Sequence, residues 1–425
     1  MIYNLTKFNA GWNTRKLHSL GEFARGKSKH RPRNDEALYE GGGYPFIQTG
    51  DIKAADLYIT SHDQEYNDVG LAQSKLWDAG TLAITIAANI AETSILSYPM
   101  CFPDSVVGFT AYPSETTEMY MHYIFAYIRA SIQRSVGGSI QDNINIDYLE
   151  NLDFKIPDKT IQDKMVEMLA TIDHKIAINN ALTIELEKAA KLIYDYWFTQ
   201  FDFPDADGKP YRASGGAMEY NAQLKREIPK GWTVPKLSSV VYNITESTRP
   251  GEHLQDLPYT PLDAIPMRKM SFFGGRSYED ANSSLLLYKE NDILLGAMRV
   301  HFHRVCISAQ DGITRSTTII MRPKNPAILP YLYQAVNSDE TIAYAVKQSG
   351  KSQQPYVNWE SELENYSFSM PPEQLALLYS DKISSMIEKV KLNERENYYL
   401  TALRDFLLPL LMNGQVTVKP EEAHR

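Results

Sequence analysis

Cysteine is nearly absent: the 425 residues hold two, Cys101 and Cys306. Two thiols can form neither a disulfide framework nor a zinc cluster. Both sit in apolar stretches, YPMCF and HRVCI, which predicts small buried side chains and a reducing compartment. No run of 18 or more apolar residues occurs, so no membrane-spanning helix is expected. The opening stretch MIYNLTKFNAGWNTRKL lacks the apolar core of a signal peptide, and the expectation is a cytoplasmic chain. Positive charge is in deficit too. Lys and Arg number 43 against 52 Asp and Glu, a formal net charge of −9. Taken as a sum, that balance disfavours a nucleic-acid partner, because phosphate binding needs a basic surface.

The distribution of charge says more than the sum. Residues 15–33 (RKLHSLGEFARGKSKHRPR) hold Arg15, Lys16, Arg25, Lys27, Lys29, Arg31 and Arg33 against the single acid Glu22. A lone charge run is ordinarily a solvated loop. This one lies inside an internal repeat, which raises its standing as a phosphate-binding segment.

The chain says much of its content twice. AGWNTRKL around Trp12 returns as KGWTVPKL around Trp232. YPFIQTGDI from Tyr44 matches LPYTPLDAI from Leu257, an offset of 213. GTLAITIA from Gly80 resembles NDILLGAM from Asn291. GGSIQ from Gly137 matches SGKSQ from Ser349, and YLENLDFKIP matches ELENYSFSMP at an offset of 214. A shared order at a nearly constant offset marks two divergent copies of one plan. Each copy opens with short apolar runs between Gly, Pro and Asp turns, such as TLAITIA and TTIIMRP, which read as buried strands. Helical stretches follow, MYMHYIFAYIRASI and ILPYLYQAVNS, so each is an α/β module.

Each copy then ends in one long helix, from about Ile161 to Phe198 and from about Leu375 to Leu411. In the first, Met165, Ile172, Leu186 and Ile193 share one heptad position, and Met168, Leu182 and Ala189 share another, the spacing of a coiled-coil seam. Met386, Leu400 and Leu407 stand at the same offset of 214 from Ile172, Leu186 and Ile193. Asn179 and Asn393 show that offset too and lie on the apolar stripe, where a polar residue sets register. Thirty-eight helical residues span about 57 Å. Phe201 to Gly231, rich in Gly, Pro and charge, reads as a linker whose FDFP and IPKGW pieces can pack locally.

LIYDYWFTQFDFPDADGKPY from Leu192 resembles the end of the first conserved helical region of type I restriction-modification specificity subunits. FLLPLLMNGQV from Phe406 resembles the end of their second. The IPKGW opening, the GSIQ and GKSQQ segments, and the IP and MP that precede each helix are similar as well. The resemblance in plan covers nearly the whole chain. It implies an α/β (α+β) fold of tandem target-recognition domains separated by two long antiparallel coiled-coil helices, with an internal two-fold repeat. Residues 1–157 would form the first recognition domain and 158–200 the first spacer helix. Residues 201–230 would be the linker, 231–371 the second recognition domain, 372–413 the second helix and 414–425 a tail.

The resemblance further implies that each domain reads one half of a bipartite, asymmetric site on double-stranded DNA. The helices would set the unread spacer and dock two methylation subunits, and restriction/translocase subunits complete the complex. No cofactor is expected on this chain; S-adenosylmethionine, ATP and Mg belong to the partner subunits. Half-sites lie about one helical turn apart, roughly 34–36 Å, or a multiple of it, within the reach of such a rod. The competing reading is a coiled-coil scaffold that tethers proteins and reads no DNA; its support is the acidic net charge.

In the second domain the basic candidates are scattered: Arg249, Arg268, Lys269, Arg276, Arg299, His301, His303, Arg304 and Arg315. Arginine pairs with guanine, and glutamine or asparagine with adenine. Gln141 and Asn143, and Gln353 and Gln354, occupy matching Gly-rich loops and are base-contact candidates, although the same loops could simply lead into the helices. Enzyme-like patterns fail on inspection. S-G-K-S at Ser349 lacks the first Gly of a phosphate loop, with Ala345 in its place. Asp158 with Asp173-His174-Lys175 resembles a loose nuclease pattern, but Asp173 falls inside the coiled coil. His301 and His303 have no third metal ligand nearby. No Asn/Asp-Pro-Pro-aromatic motif is present, so methyl transfer would come from a partner.

Overall fold

The computed structural model describes residues 2–55, 57–136, 144, 146–350 and 355–418. The chain forms two compact units. Unit 1 is Met1–Lys175 with Leu400–Arg425, and unit 2 is Ile176–Tyr399.

Unit 1 is built on a five-stranded sheet in the order Gly21–Arg25, Val106–Ala111, Leu82–Thr85, Thr93–Leu96, Tyr58–Ile59. All neighbours are antiparallel except the last pair. Leu82–Thr85 is buried throughout, as expected for a strand covered on both faces. Leu82 and Ile84 pack under the helix Glu118–Val136 with Tyr120, Ile124 and Phe125. Ala83 faces the other way, toward Trp77, Met100 and Phe102. That alternation is the two-residue period of a strand.

Unit 2 repeats the sheet strand for strand: Val241–Asn243, Thr318–Pro323, Ile293–Gly296, Val305–Ser308, Ser271–Phe272. Its final pair alone is parallel. The matched segments GTLAITIA and NDILLGAM thus form the same central strand. Even the turn before it is preserved, with Gly80 and Asn291 both at positive φ, 87° and 72°. Asparagine is one of the few side-chain-bearing residues that tolerates this conformation. Cys101 and Cys306 are both buried and free. Burial raises both thiols, Cys101 to about 11, so neither is a reactive thiolate.

The long helices are Lys159–Tyr194, continued by a wide turn through Thr199, and Glu373–Met412. Each contributes one part to unit 1 and another to unit 2. Within unit 2 they run antiparallel. Asn179 Nδ2 donates to Glu396 Oε2 at 2.8 Å, Asn393 Nδ2 to Thr183 Oγ1 at 3.1 Å, and the Tyr379 hydroxyl to the Ala190 carbonyl at 3.0 Å. Asn179 and Asn393 are buried and bonded across the pair, a register-setting arrangement.

Met165 and Ile172 are buried, and Leu186, Ile193, Met386 and Leu407 are half-buried against the cores; Leu400 is half-buried too. The second row of the first helix differs from the sequence reading. Met168 and Leu182 are each 38% exposed, and the inward row is one residue on: Gln162, Leu169, Ile176, Thr183 and Ala190. Three of these five are polar or small, so counting apolar residues selected the adjacent row.

The stretch read as a linker is also built into unit 2. It carries the hairpin Met218–Asn221 with Arg226–Pro229. Phe201, Phe203 and Ile228 are buried, and Trp232 just beyond it joins the same core.

In unit 1, His122 is buried beneath the sheet with Nδ1 3.0 Å from Thr93 Oγ1. Burial pushes its pKa down to about 4; Asp173 opposes this, while Arg129 and Arg404 add to it. The unfolded chain therefore takes up this proton near pH 6.5 and the folded chain only near 4. The resulting stability is present in full above pH 6.5 and is lost as the pH falls through that window, by up to about 3 kcal/mol. His122→Asn should flatten the difference between urea midpoints at pH 7 and pH 5. An unchanged pH dependence would place the proton elsewhere.

Candidate nucleic-acid interface

The basic segment of unit 1 divides into paired and free cations. Arg15 is held by Glu115 and by Ser19, with Nε 3.3 Å from Ser19 Oγ. Arg31 and Arg33 both lean on Asp104, a partner far away in sequence. Lys16, Arg25, Lys27 and Lys29 are exposed, with no ion pair among the described residues. Four free cations along one segment suit a phosphate backbone, which asks for charge and not for sequence.

Past the segment lies an open cleft of about 330 Å³. Its lining includes Arg33, Asn34, Gln48, Thr49, Gln64 and Ala88, with the rings of Tyr39 and Phe46. Gln48, two residues past the strand Tyr44–Phe46, is the N-cap of the short helix Thr49–Ala54, and its backbone N–H donates to Asp51 Oδ2 at 2.7 Å. Gln64 starts the neighbouring strand Gln64–Tyr66. Neither glutamine was legible as a site residue, because each stands alone among ordinary polar residues. The one signal was that Gln48 sits inside the repeated segment YPFIQTGDI.

Ala88 belongs to the turn linking the two central strands, and this turn is duplicated. In unit 1 Ala88 and Ala91 both adopt φ of 61°. In unit 2 Arg299 and His303 adopt 52° and 54° at the matching positions. Left-handed backbone at residues other than glycine is strained, of order 1 kcal/mol or more each, and clusters at functional sites. The frame is shared and the side chains are not. Unit 1 presents Ala88 and Asn89, whereas unit 2 presents exposed Arg299, His301 and Phe302.

The other unit 2 candidates separate in the same way. Arg299 and Arg315 are exposed, with no ion pair among the described residues. Arg268 lies 3.5 Å from Asp339, Lys269 3.9 Å from Glu394, and Arg276 2.5 Å from Asp263. Arg304 turns inward and donates to the carbonyls of Ile265 and Asp263. His303 is buried, with Nε2 2.9 Å from the Asn337 carbonyl, and so is split from exposed His301. Gln141, Asn143, Gln353 and Gln354 fall outside the described residues. Asp173, the centre of the nuclease-like pattern, is a buried carboxylate bonded to Tyr123 and Arg404. Among the described residues no three His, Cys, Asp or Glu side chains gather as a metal site, and no helix is long and apolar enough to cross a membrane.

The two units thus share one strained frame and differ in the side chains it exposes. Residues 9–188 match the family described as the type I restriction modification DNA specificity domain. The chain is 22% identical over 434 residues to the type I restriction enzyme MjaIX specificity subunit of Methanocaldococcus jannaschii, covering 98% of this chain and 96% of that one. It is 20% identical to the HindI specificity subunit of Haemophilus influenzae, over 64% of this chain and 71% of that one. The fold resembles the crystal structure of a type I restriction-modification S subunit from M. genitalium, with a TM-score of 0.60, 14% identity, and 97% and 99% of the two chains covered. Residues 9–188 thus carry the likeness to the DNA specificity domain, and nearly the whole chain carries the likeness to a type I restriction enzyme specificity subunit.

Proposed function

We propose that each unit reads one half of a bipartite DNA site, and that the long helices set the unread spacer and carry two methylation subunits. The observation that carries this is the strand-for-strand repetition of the sheet and its strained turn under different exposed side chains. One frame used twice with different rims suits a site whose halves differ in sequence. Direct readout comes from the rims, and affinity from the free cations beside them.

The helices support the partner reading. Exposed Ile178, Ile184 and Leu192 recur in the second repeat, at the offset of the two helices, as exposed Leu392, Tyr398 and Phe406. Apolar positions kept at the surface in both repeats suit two copies of one protein partner. The methyl donor, ATP and Mg then belong to the methylation and restriction subunits.

Co-expression with the methylation subunit, followed by genome-wide methylation mapping, tests the proposal. The expected result is a split motif, two short specified halves around a gap of constant length. An assembled complex that deposits no new methylation, or a motif without a gap, would refute it. Failure of the two proteins to copurify would instead favour the scaffold reading.

A further inference from the structure

Phe46 and Gln64 face each other as an antiparallel backbone pair in unit 1. Their counterparts in unit 2 are Tyr259 and Arg276. Tyr259 takes the place of Phe46 in the repeated segment, and it pairs antiparallel with Arg276 through bonds of 2.9 and 2.8 Å. Gln64 and Arg276 therefore occupy one position of the duplicated frame. Both are exposed, and both are oriented by a neighbour: Gln64 by Gln48, and Arg276 by Asp263.

The hydrogen-bond inventory of the glutamine pair is specific. Gln48 Nε2 donates to Gln64 Oε1 at 2.8 Å. That bond leaves the Gln48 carbonyl oxygen as an acceptor and the Gln64 amino group as a donor, side by side at the cleft. Turning both amides over leaves the same set. In the major groove adenine presents the complement, an N6 amino donor beside an N7 acceptor. Guanine presents two acceptors, N7 and O6, which would leave the pair's carbonyl facing an acceptor. In unit 2 the guanidinium of Arg276 has donors only. With one edge engaged by Asp263, its remaining N–H groups match the two acceptors of guanine.

We infer that this strand-paired position reads a base in both units: Gln64, with Gln48, takes an adenine edge in unit 1, and Arg276 takes a guanine edge in unit 2. The inference rests on the DNA-reading function proposed above and assigns where the difference between the two halves arises. Asn34 lines the same cleft, and the exposed lysines of the preceding segment supply the backbone contacts that hold the base edge in place.

Methylation mapping of the assembled complex, with variants of this chain, tests it. The Gln48→Ala/Gln64→Ala double variant should relax a single adenine in one half-site, with discrimination there reduced about tenfold to a hundredfold. The other half-site and the gap should be unchanged. Arg276→Ala should relax a single guanine in the opposite half-site. Gln64→Arg, which installs the unit 2 residue on an exposed strand end, should move the preference from adenine toward guanine. An unchanged motif in the alanine variants overturns the inference. So does a uniform loss of methylation with no new bases accepted, which would mark a backbone contact. If the wild-type complex yields no split motif, the failure lies with the DNA-reading function itself.

Discussion

Phe198→Ala lowers the stability of the chain by about 3–5 kcal/mol. Phe198 closes the first long helix and is 3% exposed. Its ring meets Tyr331 edge-on at 4.9 Å, Tyr379 at 5.2 Å and Tyr194 at 5.2 Å, with Trp232 at 6.1 Å. Removing it opens a space lined by large rings that cannot all rotate to fill it, so the cavity cost adds to the lost transfer energy. Edge-to-face contacts contribute about 0.5–1.5 kcal/mol more each at most. Urea unfolding followed through the tryptophans reports the site directly, because Trp197 and Trp232 lie in the same cluster. A loss below about 1 kcal/mol would show that the cluster collapses freely, which its packing argues against. The helix-end motif YDYWF is thus read structurally as a plug for the unit 2 core.

Arg404→Leu costs about 3 kcal/mol, and the loss is recovered in large part by neutralising its partner. In unit 1 Arg404 Nη1 lies 2.9 Å from Asp173 Oδ1, and the Tyr123 hydroxyl donates to Asp173 Oδ2 at 2.7 Å. Burial and the Asp173 charge both push the Tyr123 hydroxyl up, so it remains a donor. Asp173 is 9% exposed. Without the guanidinium its charge is left with a single neutral donor in a poorly solvated place, the situation in which a buried pair is most destabilising to break. Adding Asp173→Asn removes the stranded charge while keeping the shape. Thermal or urea unfolding of the single and double variants checks this. If the double variant is no more stable than Arg404→Leu alone, the guanidinium acts through packing and not through charge.

The repeat and the two long helices were readable because duplication and periodicity survive divergence. The helix limits agree to within a few residues, the helices running Lys159–Tyr194 with a wide turn to Thr199, and Glu373–Met412. What hid from the sequence has a common cause, namely contacts between residues far apart in the chain. Arg15 and Arg33 looked like free cations, but Glu115 and Asp104 neutralise them. Thr183 and Gln162, which no apolar spacing marks, fill the inward row through hydrogen bonds. Gln48 and Gln64 carry no pattern individually, and their meaning arises only when two strands bring them to 2.8 Å. The strained turns escaped because alanine and arginine at positive φ leave no compositional mark.

Unit 1 is assembled from both sides of unit 2 in the chain, with residues 400–418 laid against its core through Leu407, Leu411 and Met412, and with Asn413 accepting from Thr6. On the ribosome this imposes an order. Unit 2, Ile176–Tyr399, is one contiguous stretch and can close as it emerges. Unit 1, begun first, waits for all of it, about 10 to 45 seconds at ordinary elongation rates. For that interval the apolar seat for Leu411 and Met412 stands open to water, making the half-finished first unit the stage of biosynthesis most in need of chaperone cover.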